Sequence, residues 1–156
     1  MDFASLLGEF CAGVETGDGK RLAATFTEDG VYDDYFYGAF AGRQAIADML
    51  ERLWYRDGED FRWEMIDPVS DGETGYARWL FSYTSRMPQN KGARAFAEGV
   101  GCFKLRDGLI LCYEDMVKSG ESLFRLGLPP EKLHRVLAKW TERQLARPDV
   151  QAHLKR

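Results

Sequence analysis

Two carboxylates and a phenol are the side chains best suited to chemistry in this chain of 156 residues. Asp115 falls in an alternating run from Leu109 to Val117 that follows another from Ala95 to Leu105. If the three residues Arg106-Asp107-Gly108 connect them, Leu111, Tyr113, Asp115 and Val117 share a face with Phe103 and Gly101. If the connection is only Asp107-Gly108, the register moves by one and Glu114 takes that face. A carboxyl among apolar neighbours is desolvated, which raises its proton affinity toward values useful in acid/base work. At a wet strand end it is only a surface charge. Asp34, with Asp33 before it, follows a short extended segment. It either faces a pocket or caps backbone N–H groups in an Asx turn. Tyr32 lies two residues earlier and projects to the side of Asp34. It can orient a substrate oxygen or a water, or simply form wall.

The aromatic residues supply a surface for such a site. Trp79, Phe81 and Tyr83 alternate on one face of a strand from Tyr76 to Met87, and Trp63 lies on the strand before it. With Phe103 and Tyr113 they are the candidate ligand-binding wall, since aromatic faces offer large contact area with preferred stacking geometry. Plain core packing is the competing use. Gly99 and Gly101 sit inside a strand and mark a bulge or a close approach to the backbone.

Other chemistries find no support. His134 and His153 are the two histidines, both near the C-terminus, which argues against a His-based zinc site or a Ser-His-Asp triad. Cys11, Cys102 and Cys112 cannot pair completely and have no metal-ligand spacing, so neither a disulfide framework nor a metal site is expected. Cys112 has no nearby base to make it a nucleophile. No cofactor is expected. Net charge is −4 with no basic stripe, which excludes a nucleic-acid footprint. The chain opens on Asp2 without a basic start, and no apolar run reaches membrane-spanning length. The expectation is a cytoplasmic protein with a small hydrophobic molecule as partner, and neither nucleic acid nor membrane.

These residues need elements to position them. Phe3, Leu6, Leu7, Phe10 and Val14 recur at helical spacing over 3–16, and a short helix follows over Lys20 to Thr25. Thr27 to Gly30 reads as a turn before Val31, and Tyr35 to Gly42 as an aromatic loop. Ile46, Met49, Leu50, Leu53 and Trp54 define a helix over 43–54. From Phe61 the period changes to two, with Pro68 closing that strand. After Gly120 come a helical turn over Ser122 to Leu126, a Pro129-Pro130 break, an amphipathic helix from Glu131 to Arg147 and a frayed tail. Segregated helices and strands mean an α+β fold, with an antiparallel sheet packed on N-terminal helices. The expected division is a domain over 1–120 and a helical extension over 121–156 packed on it.

The segments FCAGVETGDGKRLAATFTEDGVYDD, GRQAIADML and GCFKLRDGLILCYEDMV, in this order, resemble the SnoaL-like branch of the nuclear transport factor two-like superfamily. The resemblance covers residues 3–118. It implies a conical α+β barrel, a deep pocket and often a homodimer, but no single reaction, because isomerases, cyclases, epoxide hydrolases and non-catalytic proteins share the fold. Asp34 matches the carboxylate base of the ketosteroid isomerases. Their tyrosine and aspartic acid donors fall on Phe10 and Gly101, and losing even one such donor typically costs about 10²–10³ in rate. Tyr32, Asp34 and Asp115 match positions of the limonene-epoxide-hydrolase-like enzymes, whose Arg-Asp pair falls where this chain reads Trp79-Leu80-Phe81-Ser82. Asp115 matches the acid of SnoaL-like cyclases, but the similar region has no histidine. What the resemblance implies is a small-molecule pocket with cofactor-free acid/base chemistry (isomerisation, cyclisation, dehydration or hydration) or a carrier with the same pocket.

Overall fold

The computed structural model describes residues 2–155. Helix α1 (Phe3–Thr16) starts where the Asp2 carboxylate accepts the Ser5 N–H at 2.8 Å, and it buries Leu6, Leu7, Phe10 and Val14. Gly17 ends it in the left-handed region at φ 70°, where a side chain is disfavoured. Asp18 caps α2 (Gly19–Ala24) in the same way, through the Arg21 N–H. The two helices touch backbone to backbone at Gly13, where an added Cβ would stand 2.6 Å from Leu22 N.

The expected turn over Thr27 to Gly30 is instead part of strand β1 (Phe26–Asp34), and its irregularity survives as a register shift between Phe26 and Val31. The aromatic loop is shorter than expected, because β2 (Gly38–Ala41) pairs back on β1. Helix α3 (Arg43–Asp48) widens into a π-helical segment (Met49–Trp54) and closes with α4 (Tyr55–Asp57). Ile46, Met49, Leu50 and Trp54 form its buried face.

Strands β3 (Gly58–Ser70), β4 (Thr74–Ser85), β5 (Arg94–Arg106) and β6 (Leu109–Val117) follow as antiparallel neighbours. Pro68 does not close β3. The strand passes through it at a bulge between Ile66 and Val69, with Asp67 at φ 50°. β3 lies at the sheet edge, where a residue that cannot donate is tolerated.

The sheet order is β2-β1-β6-β5-β4-β3. It is mixed, because β6 runs parallel to β1, and it does not close into a barrel, because the end strands β2 and β3 do not pair with each other. Tight hairpins force antiparallel neighbours, whereas β1 and β6 are joined by a long crossover that lets them run the same way.

The β5–β6 hairpin resolves the register in an unexpected manner. The loop is the two residues Asp107-Gly108, both at positive φ (54° and 75°), as a type I′ turn requires. Leu105 then pairs with Ile110 and Lys104 with Cys112, so Leu111 is an extra residue on β6. This bulge cancels the shift that the short loop would impose. Tyr113 stands opposite Phe103 and Asp115 opposite Gly101.

The chain divides into two compact units between Lys118 and Ser119. The second holds α5 (Ser119–Arg125), α6 (Pro130–Leu145) and α7 (Pro148–Leu154). The tail expected to fray is therefore a short helix, with Arg147 paired to Asp149 at its start. Along α6 the stripe Leu133, Val136, Leu137 and Trp140 is partly buried and the remaining residues are exposed.

Candidate functional site

Parallel pairing of β1 and β6 places two like tripeptides side by side, Tyr32-Asp33-Asp34 and Tyr113-Glu114-Asp115. Tyr32 is level with Tyr113 and Asp33 with Glu114, so Asp34 and Asp115 follow one step further along. Alternation sends both tyrosines and both of these aspartates to the helix-covered face. The two phenol rings meet edge to face with centroids 4.8 Å apart. Phe10 of α1 stacks on Tyr32 at 6.0 Å, and Trp54 meets Tyr32 edge-on at 6.0 Å.

Both expected environments of Asp34 are realised together. It is 4% exposed, and its Oδ1 accepts the N–H groups of Phe36 (2.8 Å) and Tyr37 (2.7 Å) in an Asx turn. Burial raises its pKa to about 6, against the opposing pull of those two N–H groups. Asp115 is partly buried and accepts a hydrogen bond from the Tyr113 hydroxyl. Its pKa stands well above the ordinary carboxylate range, because burial outweighs the Tyr113 hydrogen bond and the charges of Asp34, Asp33 and Glu114 add to it. Among the described residues no Lys, Arg or His forms a salt bridge with Asp34 or Asp115. Asp34 and Asp115 are thus two carboxyls on adjacent strands, both held above the ordinary carboxylate range chiefly by burial.

The expected wall is continuous but tightly packed. Trp63, Trp79, Phe103 and Tyr113 are buried, whereas Phe81 and Tyr83 are half-buried. Trp63 meets Phe81 at 4.9 Å and Trp79 at 5.9 Å. Gly99 and Gly101 make room for these rings: a Cβ on Gly99 would lie 2.7 Å from Trp79 Cζ2, and one on Gly101 2.9 Å from the Phe103 and Tyr113 rings. An open cleft of about 760 Å³ runs beside edge strand β3, and Trp63 and Phe81 contribute to its lining. Asp34, Asp115 and Tyr32 are not in that lining.

Sequence reasoning placed Trp54 only on a helix face. The structure brings it against Tyr32 and close to Asp34. Tyr37 was also missed; its hydroxyl donates to Asp57 Oδ2 at 2.7 Å. The repeated Tyr-x-Asp spacing was the available signal. Cys11, Cys102 and Cys112 are free thiols, and burial pushes Cys11 up to about 12. Among the described residues no three His, Cys, Asp or Glu are grouped to hold a metal ion, and no helix is long and apolar enough to cross a membrane.

Residues 7–113 match the SnoaL-like domain family, which is more than half of the chain. The chain belongs to the SnoaL-like domain family. No curated protein matches this SnoaL-like domain. Among solved structures, it is similar to a Catenulispora acidiphila protein with a ketosteroid isomerase-like fold in complex with trimethylamine (TM-score 0.70, 17% identity, 80% of this chain and 93% of that one). It is similar to a polyketide cyclase candidate from Xanthomonas campestris pv. campestris (TM-score 0.64, 21% identity, 79% and 95% covered). A third is an epoxide hydrolase of M. tuberculosis that resembles limonene epoxide hydrolase (TM-score 0.65, 16% identity, 86% and 94% covered). At these identities the likeness establishes the fold.

Proposed function

We propose that this SnoaL-like domain carries out cofactor-free acid/base chemistry on a small hydrophobic, oxygenated molecule, with Asp115 as acid and Asp34 as base. The observation that carries this is the parallel pairing that sets the Asp34 and Asp115 carboxyls on adjacent strands in an aromatic surround, where burial raises the pKa of both. Near neutral pH Asp34 is mostly ionised and takes a proton from carbon or from a water. Asp115 keeps its proton and gives it to the substrate oxygen. Tyr113 holds Asp115 in place, and Tyr32 orients the oxygen. Trp63, Trp79, Phe81, Tyr83, Phe103 and Tyr113 keep water from the reacting atoms, which strengthens every charge interaction there. The small molecule in the Catenulispora structure, and the cyclase and epoxide hydrolase descriptions, are in keeping with a small-molecule site.

One observation favours a carrier with the same site. Phe10 and Gly101 stand where isomerase donors would be, and Trp79 to Ser82 supply no Arg-Asp pair. A metabolite panel read by thermal shift, followed by mass spectrometry of the incubated mixture, separates the two. Conversion by the wild type, abolished in Asp115→Asn with ligand affinity and melting temperature nearly unchanged, is the expected result. Unaltered ligand mass over many hours supports the carrier, and full activity in Asp115→Asn removes Asp115 from the chemistry. A cytoplasmic homodimer belongs to the same proposal. Tyr76, Val100 and Met116 are exposed on the opposite face of the sheet and offer an apolar surface for it.

A further inference from the structure

The face of the sheet turned away from the helices carries a second group of side chains with chemistry of their own. Cys102 lies on β5 opposite Glu114, and Cys112 lies on β6 opposite Lys104. Phe103 and Tyr113 meet Phe3 and Phe10 of α1, so the cysteines, each one step along its strand, turn to the other side. In this register each cysteine is the diagonal neighbour of the other. Both are free, half-buried thiols. Burial holds the proton of each more tightly and the Glu114 charge adds to this on both, so one carboxylate acts on the two thiols together. The sequence shows no metal-ligand spacing here, because strand pairing and not a local motif brings the residues side by side. Distance decides what the pair can do. Diagonal neighbours stand about 7–8 Å apart, with Cβ atoms somewhat closer. A disulfide needs Cα atoms within about 6.8 Å and sulfurs about 2 Å apart. An ion held in line between two sulfurs spans about 4.6 Å, taking about 2.3 Å for each metal–sulfur bond. The wider span suits the diagonal.

We propose that Cys102 and Cys112 bind one soft monovalent metal ion, of the copper(I) type, as a linear bis-thiolate on the outer face of the sheet. Thiolate ligands select soft ions. Zinc takes four ligands in a tetrahedron, and among the described residues no three His, Cys, Asp or Glu are grouped to begin one. Two-coordinate copper(I) needs only the two sulfurs. On binding, two S–H bonds break and two S–Cu bonds form. Both protons pass to solvent, copper keeps its oxidation state, and the complex carries one negative charge. Lys104, directly across from Cys112, lies beside that charge. Cys11 takes no part, because it lies on α1 and packs against the core on the other side of the sheet.

The test is an anaerobic competition for copper(I), kept reduced with ascorbate, between the full chain and the coloured chelator bathocuproine disulfonate. The wild type should take up one copper(I) per chain. Cys102→Ser and Cys112→Ser should each weaken binding by more than the roughly 100-fold that loss of an outer-shell partner costs, with melting temperature nearly unchanged. Cys11→Ser should bind as the wild type does. Retention of copper by either of the first two variants overturns the site, as does its loss in Cys11→Ser or its displacement by equimolar zinc(II). X-ray absorption of the wild-type complex tests the ligand set without any substitution. Two sulfur neighbours are expected, and a third ligand of any kind overturns the linear site. Diamide, an oxidant that couples adjacent thiols, tests the spacing on the metal-free chain. All three thiols should stay titratable, and closure of a Cys102–Cys112 disulfide would remove the distance on which the assignment rests.

Discussion

Tyr113 donates its hydroxyl hydrogen to Asp115, two residues further along the same strand, while Tyr32 at the same level of the neighbouring strand leaves its hydroxyl without a partner. Two matched Tyr-x-Asp runs therefore serve different ends. One bonds its phenol to the carboxyl of its own strand, and the other leaves a donor without a partner beside a carboxyl that caps two backbone N–H groups.

Asp34 makes stability depend on pH in a definite direction. Its pKa rises on folding from 3.8 to about 6, so the folded state binds the extra proton. The associated stability is fully present below 3.8 and is lost as pH rises through about 6. That difference amounts to about 3 kcal/mol. Asp34→Asn keeps an oxygen for the Phe36 and Tyr37 N–H groups but carries no charge. Urea unfolding should show it more stable than the wild type by about 2–3 kcal/mol at pH 8. Below pH 4 the two should be nearly equal.

Tyr113→Phe removes the one hydrogen bond that opposes the raised pKa of Asp115. The Asp115 titration should move further up in the variant, and the alkaline limb of any pH–rate profile should move with it. A downward shift would mean that Tyr113 is not the group that holds the Asp115 charge.

Gly13→Ala should cost about 1–3 kcal/mol in urea unfolding, because the new methyl would overlap backbone atoms of Leu22 that cannot step aside. Gly8, on the same helix, has open space around its added Cβ, so Gly8→Ala should be neutral or stabilising.

Deleting Leu111 would remove the bulge and leave a regular ladder, with Leu105 still opposite Ile110 and Lys104 still opposite Cys112. Tyr113 would keep its place opposite Phe103 and Asp115 its place opposite Gly101, so the near-ultraviolet aromatic signal should persist in the variant. Loss of that signal would mean that the bulge itself holds the buried face in place.

Helix α1 was legible, since Leu6, Leu7, Phe10 and Val14 mark one face and Gly17 marks its end, whereas the Asp2 cap at its start was not read. Strands β4 to β6 were legible from alternation and turn residues. The β1–β6 pairing was not, because no local signal joins segments so far apart in sequence, and parallel neighbours need no turn. The bulge at Leu111 was likewise hidden: the sequence allowed two loop lengths, and the chain takes the short loop with the face of the long one. Asp34 could be read either as a cap or as a buried acid, and only tertiary packing shows that it is both.

The central claim is that Asp34 and Asp115 share one dry site and divide the roles of base and acid. Carboxyl ¹³C titration of the aspartates, assigned with Asp34→Asn and Asp115→Asn, tests it most directly. Asp34 should titrate at about 6 and Asp115 well above the ordinary aspartate value, and Asp34→Asn should lower the pKa of Asp115, because the Asp34 charge opposes its ionisation. Two independent titrations close to the ordinary aspartate value would contradict the account.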